Sequence, residues 1–121
     1  MILVIAEQRD GSLNRATWEA LVAAQQLAAG DEILIAVPGA TTGAAAQELA
    51  AAGVGGVLSV TNPALDPYTP DGYVHAFAQV IATVSPQVVV LAHTYQARDF
   101  APMLAARLNL PLEPFVEHRQ R

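Results

Sequence analysis

A short segment late in the chain gathers the side chains best suited to chemistry. Residues 93–99 place an imidazole, a hydroxyl, a phenol and two adjacent opposite charges directly after an apolar run. If that run is a strand of a parallel sheet, these groups lie at its carboxyl end, where ligands of such sheets gather. From spacing alone, the favoured interpretation is that Asp99 caps a helix while Arg98 stays in solvent. The candidate interface or loop-organising residues are His93, Thr94, Arg98 and Asp99.

Patterns for catalysis or metal binding are not found elsewhere in the sequence. None of the serines at positions 12, 59 and 85 has the flanking glycines of a nucleophile elbow, and there is no cysteine. The histidines at positions 75, 93 and 118 lack metal-ligand spacing, which favours surface roles. The sequence therefore predicts no catalytic, cofactor-binding or metal-binding residue.

Three segments of the chain contain glycines of the kind that phosphate sites use. Glu7–Ser12 has one glycine and two acids, which favours a solvated loop. Pro38–Gly43 could receive an anion, but a turn followed by a threonine N-cap is favoured. Gly53–Gly56 precedes an apolar run and is read as a turn, not as a dinucleotide fingerprint. The absence of lysine excludes a P-loop.

The composition indicates one domain with its own core. The chain has 121 residues, 53% of them hydrophobic and 14% charged, with no cysteine. The net charge of −5 argues against a nucleic-acid partner. No apolar run is long enough for membrane insertion, and no leader follows Met1, so a cytoplasmic protein is expected.

Short apolar runs alternating with helical patterns predict an α/β fold. The runs are consecutively apolar, as in strands covered on both faces, and the alternation implies a doubly wound, Rossmann-like parallel sheet. The predicted strands are Ile2–Ala6, Ile33–Val37, Val57–Val60 and Val88–Ala92, with a short one near Phe115 and Val116.

The first two helices are predicted from their spacing and their stop signals. The first runs from Thr17, with Asn14 as N-cap and Gly30 as terminator. The second spans Gly43–Ala52 and ends at Gly53. The buried stripe of the first helix is predicted to contain Ala20, Leu21, Ala24, Leu27 and Ala28.

The third helix begins with a Thr69 cap, a proline and an acid, and ends before Ser85-Pro86. The fourth helix contains Pro102, which is tolerated in a first turn. Asp99 is therefore predicted as its N-cap, and Asn109 as its left-handed end. The predicted buried stripe of the third helix is Tyr73, Phe77, Val80, Ile81 and Val84; that of the fourth is Leu104, Ala105 and Leu108.

Residues 93–108, HTYQARDFAPMLAARL, resemble the H-T-x-x-G-R-D-L-A-P-R-L-A-A-R-L signature of electron transfer flavoprotein alpha subunits. The opening Ile2–Glu7, the segment Tyr68–Tyr73 and the run Val88–Leu91 extend the resemblance over nearly the whole chain. The departures from the family pattern are Ala97 and Asn109, where it usually has glycine, and Met103, where it often has arginine.

The resemblance implies that residues 1–121 form the N-terminal domain of an alpha-type subunit, similar in fold to adenine-nucleotide hydrolase-like domains. The FAD-binding C-terminal domain has no counterpart in this sequence, so FAD is expected in the complete protein and neither FAD nor AMP on this chain. The implied role is a scaffold that packs against the beta subunit and lets the flavin domain swing. Electrons would then pass from dehydrogenases to a membrane quinone reductase or another acceptor.

Two alternatives remain at this stage. The first is a stand-alone adenine-nucleotide-binding module like the universal stress proteins, which share the architecture; it is weakened by the poor phosphate loops. The second is a small hydrolase on the same fold, which lacks a nucleophile arrangement.

Overall fold

The computed structural model describes residues 1–54 and 56–109. The strands of the four-stranded sheet alternate with helices along the chain, as the apolar runs predict. The strands are β1 Ile2–Ile5, β2 Gln8–Arg9, β3 Ser12–Leu13, β4 Ile33–Gly39, β5 Gly56–Thr61 and β6 Val88–Leu91. The helices are α1 Ala16–Ala28, α2 Gly43–Ala51, α3 Pro70–Val84 and α4 Tyr95–Leu108, with a 3-10 turn at Pro63–Leu65.

Four strands form one parallel sheet in the order β5-β4-β1-β6. In β1, Ile2 pairs with Ile33 on one side and with Val88 on the other, and this register continues along the strand. The chain moves outward from β1 through β4 to β5 and then returns to the opposite side of β1 for β6. The strand order therefore reverses between β1 and β6, where sheets of this kind place their ligand crevice.

Helices cover both faces of the sheet, which confirms the doubly wound α/β prediction. One core cluster joins Val4 and Ile35 to buried alanines of α1 and to Leu49 of α2. The other joins Leu3 and Ile5 to Phe77 of α3 and Phe100 of α4. Neighbouring residues of β1 thus face opposite cores, which is why its apolar residues are consecutive and not alternating.

The predicted start of the fourth helix was wrong. α4 begins at Tyr95, four residues before Asp99, and its N-cap is Thr94. Pro102 therefore lies inside the helix, where it removes the backbone bond to the Arg98 carbonyl. Pro102 is tolerated because it lies on the exposed side of the helix. The other side is held in the core by Ala97, Phe100 and Leu104.

Three smaller expectations also differ from the structure. Leu27 was predicted to be buried in α1 but is about half exposed. Thr42 precedes α2 without a side-chain cap, because its buried hydroxyl lies 3.0 Å from that of Thr61. The segment Glu7–Ser12 was predicted to be a solvated loop, but it lies in a β2–β3 hairpin. The hairpin turns at Asp10 and Gly11, which both have positive φ.

Several local signals were read correctly. Thr69 caps α3 by accepting a hydrogen bond from the Gly72 amide, and the helix ends before Ser85. Asn109 ends α4 in the left-handed conformation. The predicted strand near Phe115 and Val116, and His118, lie outside the described residues.

Candidate functional site

The loop after β6 is tied to the loop after β1 by Thr94. Its Oγ1 accepts a hydrogen bond from the Ala97 amide at 3.0 Å, which caps α4. The same hydroxyl donates to Glu7 Oε1 at 2.6 Å, across 87 positions of sequence. This short, charge-assisted bond joins the carboxyl ends of the two strands that flank the reversal of strand order. Thr94 and Glu7 therefore connect the two sides of that crevice through the chain's own side chains.

Asp99 faces the loop before α3 and does not cap a helix. Its Oδ2 accepts a hydrogen bond from the Tyr68 hydroxyl at 2.7 Å. Burial, and then the hydrogen bond to Asp99, raises the pKa of the Tyr68 phenol above its ordinary value. The phenol thus stays protonated and continues to donate. Asp99 and Tyr68 hold the start of α4 against the entry to α3.

An aromatic cluster lies behind this hydrogen bond. Tyr68 meets Tyr73 edge to face with ring centroids 4.8 Å apart, and Tyr73 lies 5.4 Å from Phe100. Phe77 stacks with Phe100 at 6.1 Å. Burial, and then the charge of Glu7, raises the pKa of the Tyr73 phenol. The cluster locks α3 to α4 and so fixes the position of the loop between β6 and α4.

The two remaining candidate residues, His93 and Arg98, are exposed. The Arg98 guanidinium carbon lies 4.8 Å from the ring centroid of Tyr95, a cation–π contact one helical turn apart. Tyr95 itself is 87% exposed. Thr94 and Asp99 thus make side-chain hydrogen bonds to other loops, although Asp99 is exposed as His93 and Arg98 are.

Gln8 fills the space beside the crevice. Its Nε2 donates to the carbonyl oxygens of Pro38 and Thr41, at 3.0 and 3.1 Å. Its Oε1 accepts from the Gly11 amide at 2.8 Å. A Cβ on Gly39 would collide with this amide group, so glycine is needed for the close approach. One side chain thereby binds the hairpin to the loop after β4.

The described residues at this edge do not fit the diphosphate of a flavin or nucleotide cofactor. A phosphate cradle needs several free backbone N–H groups at a helix start. At the start of α4, the Ala97 N–H group already donates to the Thr94 hydroxyl. At the start of α2, Gly11 of the hairpin packs close to Ala44 and covers the first turn. Open clefts remain among the described residues at this edge, one of about 290 Å³ beside Arg9 and Asp66 and one of about 350 Å³ beside Arg9 and Glu7. Each is lined by a carboxylate, which disfavours a phosphate group.

No group of three or more His, Cys, Asp or Glu side chains in residues 1–54 and 56–109 could hold a metal ion. Within the same part of the chain, no helix is long and apolar enough to cross a membrane.

Sequence reasoning missed Glu7 and Gln8 as organisers of the site. Both follow the first strand directly, so their place at the carboxyl edge could be predicted. Their partners could not, because Thr94, Pro38 and Thr41 meet them only through the order of strands in the sheet.

Comparisons with known proteins agree on one family. Residues 2–117 match the family model described as the electron transfer flavoprotein domain. The chain is 36% identical over 111 residues, 92% of its length, to electron transfer flavoprotein subunit alpha of Bacillus subtilis. It is 36% identical over 109 residues to the subunit of the same name from Syntrophomonas wolfei, covering 90% of its length.

A relative with a different name matches at a similar level. The chain is 30% identical over 119 residues, 97% of its length, to the acryloyl-CoA reductase electron transfer subunit beta of Anaerotignum propionicum. In all three comparisons, the chain spans about a third of the length of the curated relative, between 32% and 34%.

Proposed function

The chain belongs to the electron transfer flavoprotein family, and we propose that it is the scaffold and partner-binding domain of an alpha-type subunit. The complete protein would carry electrons on FAD from dehydrogenases to a quinone reductase or another acceptor. Residues 1–121 would form its N-terminal domain, a FAD-binding C-terminal domain would hold the flavin, and a beta subunit would be the partner.

The Thr94–Glu7 hydrogen bond is the observation that favours a scaffold over a cofactor site. It spans the crevice in which a doubly wound sheet ordinarily holds its ligand, and the same Thr94 hydroxyl accepts from the Ala97 amide at the start of α4. Gln8 occupies the adjoining space with three hydrogen bonds. The domain would then contribute a rigid surface and no catalytic centre of its own. No electron-transfer step is assigned to its side chains.

Within this proposal the four candidate residues have two roles. Thr94 and Asp99 organise the loop through their bonds to Glu7 and Tyr68. His93 and Arg98 are exposed on the same edge and belong to the partner-binding surface. The alternative of a stand-alone adenine-nucleotide module is not favoured, because the comparisons agree on the electron transfer flavoprotein family.

Calorimetric titration of the purified chain with FAD, AMP and ATP tests the absence of a cofactor site. We expect no binding at micromolar concentrations and a colourless protein. Micromolar ATP binding would overturn the scaffold proposal and favour the stress-protein type of module.

Co-expression with an electron transfer flavoprotein beta subunit, followed by size-exclusion chromatography, tests the partner. We expect co-elution, and we expect a Gln25→Ala variant to co-elute equally, since Gln25 is exposed on α1 away from the candidate edge. Separate elution of the wild-type chain would refute the partner-binding role.

A further inference from the structure

Two aspartates of the chain precede a glycine, and the structure places them in different surroundings. Asp10-Gly11 forms the tip of the β2–β3 hairpin, whereas Asp71-Gly72 lies in the first turn of α3. Both aspartates are exposed. An aspartate in this position is open to attack on its side chain by the backbone nitrogen that follows, because glycine has no Cβ to hinder the approach. The two dipeptides therefore share one chemistry and differ in their backbone conformation.

The hairpin tip leaves the side chain of Asp10 free to turn toward Gly11. The two residues have φ angles of 54° and 88°, as in a two-residue type I′ turn. Within residues 1–54 and 56–109, the ion pair found joins the N-terminal ammonium to Asp31, so Asp10 has no charged partner there. An exposed turn tip of this kind opens at a low free energy compared with a helix or a core strand.

The side chain of Gln8 restrains the backbone nitrogen that would react. Its Oε1 accepts the Gly11 amide hydrogen at 2.8 Å, and its Nε2 is anchored on the Pro38 and Thr41 carbonyl oxygens. The reaction requires the Gly11 nitrogen to turn toward the side-chain carbon of Asp10 and the amide hydrogen to leave. The hydrogen bond to Gln8 opposes both changes, so its strength enters the rate.

The first turn of α3 opposes the same reaction at Asp71. The Gly72 amide donates to Thr69 Oγ1 at 3.1 Å. Side chains of a helix point back toward its N-terminus, so the carboxyl group of Asp71 is directed away from the amide nitrogen that follows it. The reaction there requires the first turn to unfold. Asp71 is therefore an internal reference for the effect of the fold on this chemistry.

We propose that Asp10 is a site of spontaneous isomerisation to isoaspartate, and that Gln8 sets the rate. The Gly11 nitrogen bonds to Cγ of Asp10 in its acid form, and one water leaves, made of the carboxyl hydroxyl and the amide hydrogen. The product is a succinimide ring, which solvent water then opens. Cleavage of the bond from nitrogen to the Asp10 backbone carbonyl carbon leaves the chain running through Cγ, which is isoaspartate. Cleavage at Cγ restores aspartate.

Isomerisation would change the edge of the sheet that carries the candidate site. The isoaspartyl link adds one carbon to the backbone of a two-residue turn, and the pairing of Gln8 with Leu13 depends on the length of that turn. Gly11 would then move away from Gln8, which also holds the loop after β4. The hairpin would thus lose its fixed position as the protein ages, without the action of an enzyme.

The experiment incubates the purified chain at mildly acidic pH, where part of the aspartate is in its acid form, and maps isoaspartate by mass spectrometry with electron-transfer fragmentation. In the folded wild type, we expect isoaspartate to accumulate at least about 10-fold faster at position 10 than at position 71, because the helix must open first at the second site. In urea, which unfolds the chain, the two positions should react at similar rates.

Two variants of Gln8 test its control of the rate. Gln8→Ala removes the acceptor of the Gly11 amide and should accelerate the reaction at Asp10 about 5-fold, as the loss of one hydrogen bond permits. The matched control is Gln8→Glu, which keeps an oxygen acceptor for Gly11 but loses the donor to Pro38 and Thr41. Its rate at Asp10 should stay within about 2-fold of the wild type.

Several results would overturn the proposal. Equal rates at positions 10 and 71 in the folded wild type, or a difference that persists in urea, would show that the fold does not select the site. A Gln8→Ala rate within about 2-fold of the wild type, or equal acceleration by Gln8→Glu, would refute control by the bond to Gly11. If Gln8→Ala unfolds, the rate at position 71 rises as well, and the comparison of Gln8→Glu with the wild type then decides the role of Gln8. None of these measurements involves a partner subunit, so the proposed function does not depend on them.

Discussion

Replacing Thr94 by valine should destabilise the domain by about 2 kcal/mol. Valine keeps the shape and the β-branch but removes the hydroxyl that accepts from the Ala97 amide and donates to Glu7. Loss of an N-cap typically costs about 1 kcal/mol. A hydrogen bond to a charged group contributes about 1.5–3 kcal/mol, and only part of this is lost because water can reach the half-buried Glu7. For a domain of this size, the melting temperature should fall by about 8 °C.

Urea and thermal unfolding, followed by far-ultraviolet circular dichroism, measure the change. Thr94→Ser is the control, since it keeps both hydrogen bonds and should lose no more than about 0.5 kcal/mol. In a Glu7→Ala background, which removes the acceptor, the Thr94→Val penalty should shrink toward the value of the cap alone. A Thr94→Val loss below about 0.5 kcal/mol would refute the assignment of the cap and of the bond to Glu7.

Three further outcomes follow from individual contacts. The pKa of Tyr68 is raised in the folded chain, so the contribution of Tyr68 to stability is complete below about pH 10 and is lost as the pH rises further. Urea melts of Tyr68→Phe at increasing pH should therefore show a weaker alkaline loss of stability. Pro102→Ala restores an interior helix hydrogen bond and should stabilise the domain by about 1–2 kcal/mol, which urea unfolding would show as a higher midpoint. Gly39→Ala should displace the Gln8 amide and cost about 1–2 kcal/mol, most of which should disappear in a Gln8→Ala background.

The amino-acid sequence determined the elements and the fold class of this protein. Strands buried on both faces need consecutive apolar residues, and the four runs in the sequence occupy the four strands of the sheet. The Thr69-Pro70-Asp71 start of α3 and the left-handed Asn109 are local signals that act through neighbouring backbone groups. Local interactions are complete within a few residues, so they can be read from the chain alone.

Only the tertiary structure decided the start of α4. Pro102 considered by itself favours a later start, because an interior proline removes a hydrogen bond. Packing of Phe100 and Leu104 against the sheet and α3 outweighs that local cost, and the long-range bond from Thr94 to Glu7 fixes the first turn. Leu27 was misassigned for a related reason, since helical spacing gives the direction of a side chain but not what lies opposite it.

The division of the candidate residues into two groups also came from tertiary structure. Thr94 and Asp99 find partners on β1 and before α3, at separations of 87 and 31 positions. The sequence places all four residues at a carboxyl edge but carries no local sign of which neighbours the strand order brings to them. The pairing of distant loops depends on the order β5-β4-β1-β6, and that order is a property of the packed sheet.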